Sequence, residues 1–285
     1  MSYPFLVGHG TENDFVLLPD HDGARHGALA AERVAALCDR RAGIGGDGVM
    51  RVIRTVAARS LGLIGGGQGE DTEAEWFMDY RNSDGSVSEM CGNGVRVFGR
   101  HLAEAGLVDP SAPVPVLTRG GVKVLTFEED DTITVDMGRP EVLGESVVTV
   151  GHRGWSARHV DMGNPHAVAF VDSLDDAGPL LKSPGHDAGV YPHGVNVEFV
   201  VDRGPRHVGM RVHERGSGET RSCGTGACAV MVAAALRDGA ARPPGSDLTY
   251  RVDVPGGTLW VTWTAADRSL LRGPAVLVAE GVTDL

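Results

Sequence analysis

Apolar and polar residues alternate over short stretches along much of the chain, and this pattern predicts β-strands bounded by turns. Each stretch is flanked by the glycine, asparagine or aspartate residues that are typical of turns. The predicted strands are Trp76–Tyr80, Val122–Phe127, Thr132–Met137, Val195–Val201, Val208–His213, Leu248–Val254 and Thr258–Trp263. We therefore expect a protein rich in short strands.

Three segments instead have helical spacing of their apolar residues. They are Ala28–Asp39, Gly94–Ala105 and Ala227–Arg237. The second and third end next to Gly106 and Gly239, which are suitable residues to follow a helix C-terminus. The third helix is apolar on all sides, so we expect it to be enclosed by other elements. Together the patterns predict an α+β fold in which mainly antiparallel strands wrap around central helices.

The chain also repeats itself. The segment MDYRNSDGSVSEMCGNG, from Met78 to Gly94, aligns without a gap with MRVHERGSGETRSCGTG, from Met210 to Gly226. In this alignment Asn82 lies over Glu214 and Cys91 over Cys223. Two copies of one unit predict two pseudo-symmetric domains, residues 1–129 with Cys91 and residues 130–274 with Cys223, with an active site in the cleft between them.

Composition restricts the class of function. The 285 residues carry a formal charge of −12, which disfavours sequence-independent binding to nucleic acid or to an anionic membrane. The sequence contains neither a signal-peptide pattern nor an apolar run long enough to span a bilayer. Four cysteines in a chain of this length do not indicate a disulfide framework. We expect a soluble cytoplasmic protein.

The paired Cys-Gly-x-Gly motifs suggest a chemistry. A cysteine at a helix N-terminus meets unpaired backbone N–H groups, which lower the pKa of its thiol. The glycines Gly92, Gly94, Gly224 and Gly226 allow those N–H groups to approach a carboxylate closely. Two thiols on opposite faces of the adjacent carbon could invert a stereocentre, because one removes the α-proton and the other supplies a new one.

Other interpretations of the cysteines are weaker. Cys38 and Cys228 fit buried core positions, and Cys91 with Cys223 could form a structural disulfide, although a cytoplasmic location disfavours one. A zinc site lacks the usual Cys-x-x-Cys and histidine spacing, and an acyl-transfer cysteine would not need a matched pair. Neither of the two lysines, Lys123 and Lys182, lies in a setting typical of pyridoxal phosphate binding. We therefore expect no cofactor and no metal.

The motifs CGNG, GNPHAV, NVEF and ERGSGETRSCGTGACA together resemble the diaminopimelate epimerase family. The resemblance runs nearly end to end, from GTENDF to the final strands. It implies a diaminopimelate epimerase-like fold in which residues 275–285 complete the first domain. It also implies cofactor-independent interconversion of LL- and meso-diaminopimelate, on the route to lysine and peptidoglycan, by a protein that is a homodimer.

The resemblance also implies roles for individual residues. Cys223 would remove the α-proton in the conventional direction and Cys91 would return one. Glu214 would engage the α-ammonium group and help to poise a thiol, and His166 would assist the other thiol. The reacting carboxylate would be held by Gly92, Asn93, Gly224 and Thr225, and the rest of the substrate by Asn13, Asn82, Asn164, Asn196 and Arg215. The asparagines and His166 could also have purely structural roles in turns and in the core.

The sequence departs from the family pattern at a few positions. Gly48 stands where many relatives carry glutamine, so one hydrogen bond to the substrate is expected to be missing or supplied by water. Ser83 and His213 replace a common alanine and a common tyrosine. Residues Ala58–Glu75 are rich in glycine, then acidic, without an apolar period, and we interpret them as a mobile surface insertion.

Two alternative classes remain open at this stage. A proline or hydroxyproline racemase could use the same fold, although such enzymes typically follow the first cysteine with Gly-His, where this chain has Gly92 and Asn93. A non-enzymatic protein could use the cysteine pair as a thiol redox switch, or bind a small molecule without needing either sulfur.

Overall fold

The protein consists of two compact units in a computed structural model that describes residues 2–65 and 72–285. The first unit comprises Met1–Val135 together with Pro274–Leu285, and the second comprises Asp136–Gly273. The chain therefore leaves the first unit after Val135 and returns to it at Pro274. The predicted division after residue 129 lies before a strand whose first residues still pair with Leu125–Phe127 of the first unit.

The helices and strands have the following bounds. The helices are α1 (Ala31–Cys38), α2 (Thr55–Ser60), α3 (Gly92–Glu104) and α4 (Gly224–Arg237), with a 3₁₀ turn at Leu174–Ala177. The strands of the first half are β1 (Tyr3–Gly10), β2 (Asn13–Pro19), β3 (Gly48–Arg54), β4 (Trp76–Asn82), β5 (Val114–Thr118), β6 (Gly121–Phe127), β7 (Ile133–Gly138), β8 (Glu141–Val150) and β9 (Arg153–Asp161). Those of the second half are β10 (Pro165–Phe170), β11 (Gly185–His186), β12 (Asn196–Gly204), β13 (His207–Glu214), β14 (Gly218–Thr220), β15 (Leu248–Val254), β16 (Gly257–Trp263), β17 (Ser269–Gly273) and β18 (Val276–Thr283).

The two units share one strand order. In the first unit the order is β18-β1-β2-β3-β4-β5-β6-β7, with parallel pairs only at β2/β3 and β4/β5. In the second the order is β8-β9-β10-β12-β13-β15-β16-β17, with parallel pairs only at β10/β12 and β13/β15. The sequence repeat is thus a structural repeat, and the predicted α+β fold of mainly antiparallel strands is confirmed.

One buried helix lies against the strands of each unit. Helix α3 packs on strands that include β1, β2 and β18, and helix α4 packs on strands that include β9, β10 and β16. In α4 nearly every residue is buried, because its side chains are small and apolar on all sides. Both helices begin earlier than their apolar pattern predicts, at Gly92 and Gly224, because the preceding cysteine caps each of them.

The interpretation of Ala58–Glu75 as a surface insertion is wrong for its two ends. Ala58, Ile64 and Ala74 are buried and pack with Ile53, Phe77 and Leu117 in one apolar cluster. The isolated apolar residues of this segment thus contribute to the core without forming a periodic pattern, which is why the sequence alone did not indicate their burial. Residues 66–71 lie outside the described part of the chain.

A buried ion network crosses the sheet of the first unit. The side chain of Arg51 in β3 is completely buried, and its guanidinium group forms ion pairs with the equally buried carboxylates of Asp20 and Asp79. Asp79 also pairs with Arg119 at 2.7 Å and Arg81 at 3.1 Å. The positive groups around Asp79 hold the pKa of this buried carboxyl below its ordinary value, although burial alone would raise it.

Two buried histidines predict a loss of stability in mild acid. Burial lowers the pKa of His26 and that of His101 to about 4, from 6.5. The unfolded chain therefore binds protons more readily, so the free energy of unfolding should be highest above pH 6.5 and fall as the pH drops towards 4. Denaturant titrations at pH 7.5 and pH 5 measure this loss. His101→Gln should reduce the pH dependence, whereas a substitution of the exposed His152 should leave it unchanged.

Among residues 2–65 and 72–285, no helix combines the length and the apolar character needed to cross a membrane.

Candidate active site

The two Cys-Gly-x-Gly motifs form the same structure in both units. Cys91 is the residue before α3, and its Sγ accepts a hydrogen bond from the backbone N–H of Gly94 at 3.4 Å. Cys223 precedes α4 and accepts from the N–H of Gly226, also at 3.4 Å. The third residue after a capping residue donates this bond in proteins generally, so the motif places each sulfur at a helix N-terminus. None of the four cysteines, all of which lie in the described part of the chain, takes part in a disulfide bond.

A chain of polar side chains leads to Cys223. Its Sγ lies 3.5 Å from the hydroxyl of Thr225, and the amide of Asn164 donates to that hydroxyl at 3.4 Å. The Oδ1 atom of Asn164 lies 3.1 Å from Nε2 of His166, whose Nδ1 lies 2.6 Å from Oε1 of Glu198. His166 and Glu198 are both completely buried. Asn164, His166 and Thr225 are thus one connected network. It leads to Cys223, the thiol that Glu214 also contacts, whereas the resemblance implies that His166 assists the other thiol.

The environment of Cys223 differs from the sequence-based expectation. Burial raises the pKa of its thiol well above the ordinary value, and the carboxyl groups of Glu214 and Glu198 raise it further, whereas the bonds from Thr225 and Gly226 oppose the shift. The N–H group at the helix N-terminus therefore lowers this pKa as expected, but burial and the two acids outweigh it, so the net shift is upward. A sequence pattern shows the helix start, but not the burial and the two acids that outweigh it.

Glu214 ends strand β13 next to this thiol. Its Oε1 accepts a hydrogen bond from the hydroxyl of Thr220, and its carboxyl group also interacts with Cys223. Desolvation by the surrounding protein raises the pKa of Glu214, more than these bonds lower it. An acid of this kind favours a cationic partner, because a positive charge nearby would stabilise its ionised form.

Asn196 connects three segments at the same edge of the second unit. Its side-chain amide donates to the backbone carbonyl of Pro165 at 3.1 Å, and its Oδ1 accepts from the backbone N–H of Arg215 at 2.9 Å. The guanidinium group of Arg215 lies 3.4 Å from the carbonyl of His193. The first residues of β10 and β12 therefore lie close to the end of β13 and to the start of α4. Every site residue predicted for the second unit lies at this edge.

The first unit holds Cys91 among amides. The Sγ atom of Cys91 lies 3.5 Å from Oδ1 of Asn13, to which the amide of Asn93 also donates at 3.2 Å. The amide of Asn13 in turn donates to Asp47 at 2.7 Å. Completely buried Arg96 donates to Oδ1 of Asn93 at 2.8 Å and to the carbonyl of Gly92 at 3.2 Å. Three of the predicted residues, Asn13, Gly92 and Asn93, are thus joined around the start of α3.

Asn82 and Gly48 are opposite each other on neighbouring strands β4 and β3. The amide of Asn82 donates to the hydroxyl of Ser86 at 2.9 Å, within the turn that follows β4. A Cβ atom at Gly48 would lie 2.5 Å from the carbonyl oxygen of Arg81 and 2.6 Å from the ring of Tyr80. The Tyr80 ring thus occupies the space that a longer side chain at position 48 would need.

This crowding predicts that Gly48→Ala destabilises the protein. The new methyl group can avoid the backbone of Arg81 only if strands β3 and β4 separate locally. Overpacking of this kind generally lowers the free energy of unfolding by about 1–3 kcal/mol. Urea titration of the variant measures the difference. Gly245→Ala is the matched control, because a Cβ atom there meets nothing within 4 Å. Equal stability of both variants would contradict the prediction.

Three residues that support the site were not predicted from the sequence, namely Asp47, Arg96 and Glu198. Glu198 and Arg96 gave a usable signal, because each is a charged residue with apolar neighbours on both sides in the chain, in VEF and VRV. Asp47 gave none, since it lies in a glycine-rich loop. Among residues 2–65 and 72–285, no cluster of three or more histidine, cysteine, aspartate or glutamate side chains is arranged to hold a metal ion.

Comparison with known proteins decides the family. A family model described as diaminopimelate epimerase matches residues 5–143 and 158–278. The chain is 59% identical to the diaminopimelate epimerase of Streptomyces coelicolor over 98% of this chain and 95% of that protein. It is 48% identical to that of Mycolicibacterium gilvum, over 97% and 96% of the two chains. The chain belongs to the diaminopimelate epimerase family.

Solved structures with a similar fold share little of the sequence. A phenazine biosynthesis protein of the PhzF family from Bacillus anthracis superposes with a TM-score of 0.71 at 14% identity over 100% of both chains. A hydroxyproline epimerase from Agrobacterium vitis superposes with a TM-score of 0.66 at 16% identity, over 99% of this chain and 92% of that one. At such identities the likeness establishes the fold alone. The fold is that expected for a member of the diaminopimelate epimerase family.

Proposed function

We propose that this protein is an isomerase that interconverts LL- and meso-diaminopimelate, in the synthesis of lysine and of peptidoglycan precursors. The observation that carries the proposal is the duplicated cap, in which Cys91 and Cys223 occupy equivalent helix starts in two units of one topology. Identity of 59% to a diaminopimelate epimerase over nearly the whole chain supports the substrate.

The proposed reaction is a proton transfer between two thiols and the α-carbon. In the conventional direction Cys223 removes the α-proton from one face and Cys91 delivers a proton to the other, so the configuration inverts. The negative charge that develops spreads onto the α-carboxylate. Backbone N–H groups of the two helix starts would receive this carboxylate, together with the short polar side chains of Asn93 and Thr225. The glycines Gly92 and Gly224 allow the approach.

The raised pKa of the Cys223 thiol suggests that the substrate itself helps to form the thiolate. Burial, followed by the carboxyl groups of Glu214 and Glu198, raises the pKa of this thiol well above its ordinary value and so disfavours a thiolate. An α-ammonium group bound at Glu214 would cancel part of that negative charge and so lower the cost of forming the thiolate. The base would then be generated when the substrate is bound, which limits oxidation of the free thiol.

The remaining polar residues would hold the rest of a substrate with two ammonium and two carboxylate groups. Arg215 can pair with the distal carboxylate in a bidentate manner, and the amides of Asn82, Asn164 and Asn196 can serve groups of either charge. Asn13 would support Asn93 and Cys91 through the contacts described above. We propose a cytoplasmic homodimer that uses no pyridoxal phosphate.

Deuterium exchange tests the proposed function directly. Reduced protein is incubated with meso-diaminopimelate in D₂O, without added pyridoxal phosphate, and the α-protons are followed by NMR. Deuterium in the α-position together with appearance of the LL-isomer is the expected result. L-proline and hydroxyproline are incubated in parallel. Exchange in these substrates alone would keep the two-thiol chemistry but replace the substrate, and no exchange in any of them would reject the epimerase.

A further inference from the structure

Glu198 lies beneath the cysteine-bearing helix start of the second unit. Its side chain is completely buried in strand β12, and its Oε1 lies 2.6 Å from Nδ1 of His166. A Cβ atom at Gly226, in the first turn of α4, would be only 2.8 Å from the same oxygen. The other carboxyl oxygen, Oε2, is buried and has no hydrogen-bond partner among the described residues. A carboxyl group in such a place is costly to bury, so the fold alone does not account for it.

The first unit shows what the fold itself requires at this position. Strand β12 pairs Glu198 with Val212, and strand β3 pairs Met50 with Tyr80. Since the aligned repeats place Tyr80 over Val212, Met50 is the counterpart of Glu198. The contacts agree, because a Cβ atom at Gly94 would meet Met50 Sδ at 3.1 Å, as one at Gly226 meets Glu198. The same position in the same topology is thus filled by an apolar side chain in one unit and by an acid in the other.

The partner of Glu198 differs between the units in the same way. His166 pairs with Asn196 across β10 and β12, and Phe15 pairs with Gly48 across β2 and β3. Gly48 and Asn196 each lie two residues before Met50 and Glu198, so they are counterparts too. His166 is therefore the counterpart of Phe15, whose ring would lie 3.5 Å from a Cβ atom at Gly94. The polar pair His166–Glu198 is confined to the unit of Cys223. Packing of the fold is satisfied by Phe15 and Met50, so the pair has a role specific to the second unit.

The hydrogen bonds define that role. Asn164 donates its amide to Thr225 and presents Oδ1 to Nε2 of His166, so Nε2 carries a hydrogen. A single proton is then shared between Nδ1 and the Glu198 carboxyl group, and the pair is neutral overall whichever atom holds it. Glu198 thereby fixes both the orientation of the imidazole and the hydrogen on Nε2. Because Nε2 of His166 holds Oδ1 of Asn164, the amide of Asn164 is oriented towards the hydroxyl of Thr225, which lies 3.5 Å from Cys223 Sγ.

We propose that Glu198 is a positioning residue for the Cys223 half of the reaction, acting through His166, Asn164 and Thr225. This inference rests on the proposed function, since it concerns the same site. It explains why an acid is retained at a place that the fold fills with methionine in the other unit.

The test uses the replacements that the first unit itself provides. Glu198→Met should lower kcat about 10- to 100-fold, the effect of small misplacements of reacting groups, while KM for diaminopimelate stays within about twofold. In a His166→Phe background, Glu198→Met should cause no further loss, because the connection is already broken. Glu198→Gln, which keeps a hydrogen bond to Nδ1, should retain kcat within about threefold. Wild-type kcat in Glu198→Met, or the same fractional loss in both backgrounds, would overturn the proposal.

The ¹⁵N NMR shifts of the His166 ring test the role of Glu198 independently of activity. In protein labelled with ¹⁵N-histidine, the signals of His166 are those absent from His166→Phe among the eleven histidines. The wild type should show a hydrogen on Nε2 and a shared proton at Nδ1, and Glu198→Met or Glu198→Gln should change the Nδ1 shift. An unchanged Nδ1 shift would overturn the proposal even if the methionine variant folds poorly. If the wild type fails to exchange the α-proton of diaminopimelate, the proposed function fails, while the nitrogen shifts still test the role of Glu198.

Discussion

Replacing Cys223 by alanine should reduce epimerisation of diaminopimelate by at least about 10³-fold, within the range that a positioned acid or base contributes. The variant keeps Cys91 at the start of α3, so it can still remove a proton from one face of the substrate and return it to the same face. In D₂O we therefore expect slow incorporation of deuterium into only one of the two isomers, the one whose α-proton faces Cys91, without formation of the other. Cys91→Ala should show the opposite selectivity, with exchange only in the other isomer. NMR of the α-protons, with separation of the isomers, measures both outcomes.

The matched control is Cys228→Ala. Cys228 lies about one turn after Gly224 in the same helix and is completely buried. The Cys228→Ala variant is expected to lose some stability and to keep its activity. Epimerisation by Cys223→Ala at the rate of Cys228→Ala would reject the two-thiol mechanism and leave a binding protein as the better interpretation. Loss of inversion in both Cys91→Ala and Cys223→Ala, with retained folding, would exclude a mechanism with one base.

Arg51→Met should lower the free energy of unfolding by about 3–5 kcal/mol, as removal of one partner from a buried ion pair generally does. Methionine can fill most of the space, but the completely buried carboxylate of Asp20 then loses its only ion-pair partner within the described residues. Asp79 keeps Arg81 and Arg119, so most of the cost is expected to arise at Asp20. Because neighbouring side chains of a strand point to opposite faces, Arg51 points away from the face on which Met50 meets the start of α3. Activity measured below the unfolding transition should therefore be retained.

Arg54→Met on the same strand is the control. Arg54 is about half exposed and forms a single ion pair with exposed Glu75 at 3.1 Å. Surface pairs of this kind contribute little, so its removal should change stability by less than about 1 kcal/mol. Guanidinium chloride titrations of the two variants give the comparison. A similar small loss in both would mean that the buried network does not stabilise the first unit.

The sequence predicted the repeated part of the molecule well, for a physical reason. Cysteine caps a helix with its sulfur only when the backbone can turn closely around it, and the Cys-Gly-x-Gly motif allows that twice in the chain. The apolar helix α4 could be recognised as enclosed because no polar face is available to meet solvent. The starts of both helices were predicted too late, because the glycines of the first turn precede the apolar run on which the prediction rests.

Other features depend on contacts between residues distant in sequence. The parallel pairs β2/β3 and β10/β12 leave no local signal, since the alternation of apolar residues is the same for either direction. The pKa of Cys223 depends on burial, on Glu214 and on Glu198, and strands β13 and β14 lie between Glu198 and Cys223 in the chain. The pairing of His166 with Glu198 likewise requires the two parallel strands to be adjacent. The sequence could show a histidine and an acid, but not that they share a proton.

The order of the strands has a consequence for synthesis of the protein on the ribosome. The second unit is one continuous segment, Asp136–Gly273, and all of its paired strands are available once that segment has emerged. The first unit needs β18, which forms the outer strand beside β1 and also contacts α3. Residues translated first must therefore wait for residues translated after Gly273. Until then β1 exposes an unpaired edge, which makes the nascent first unit the part most in need of chaperone protection.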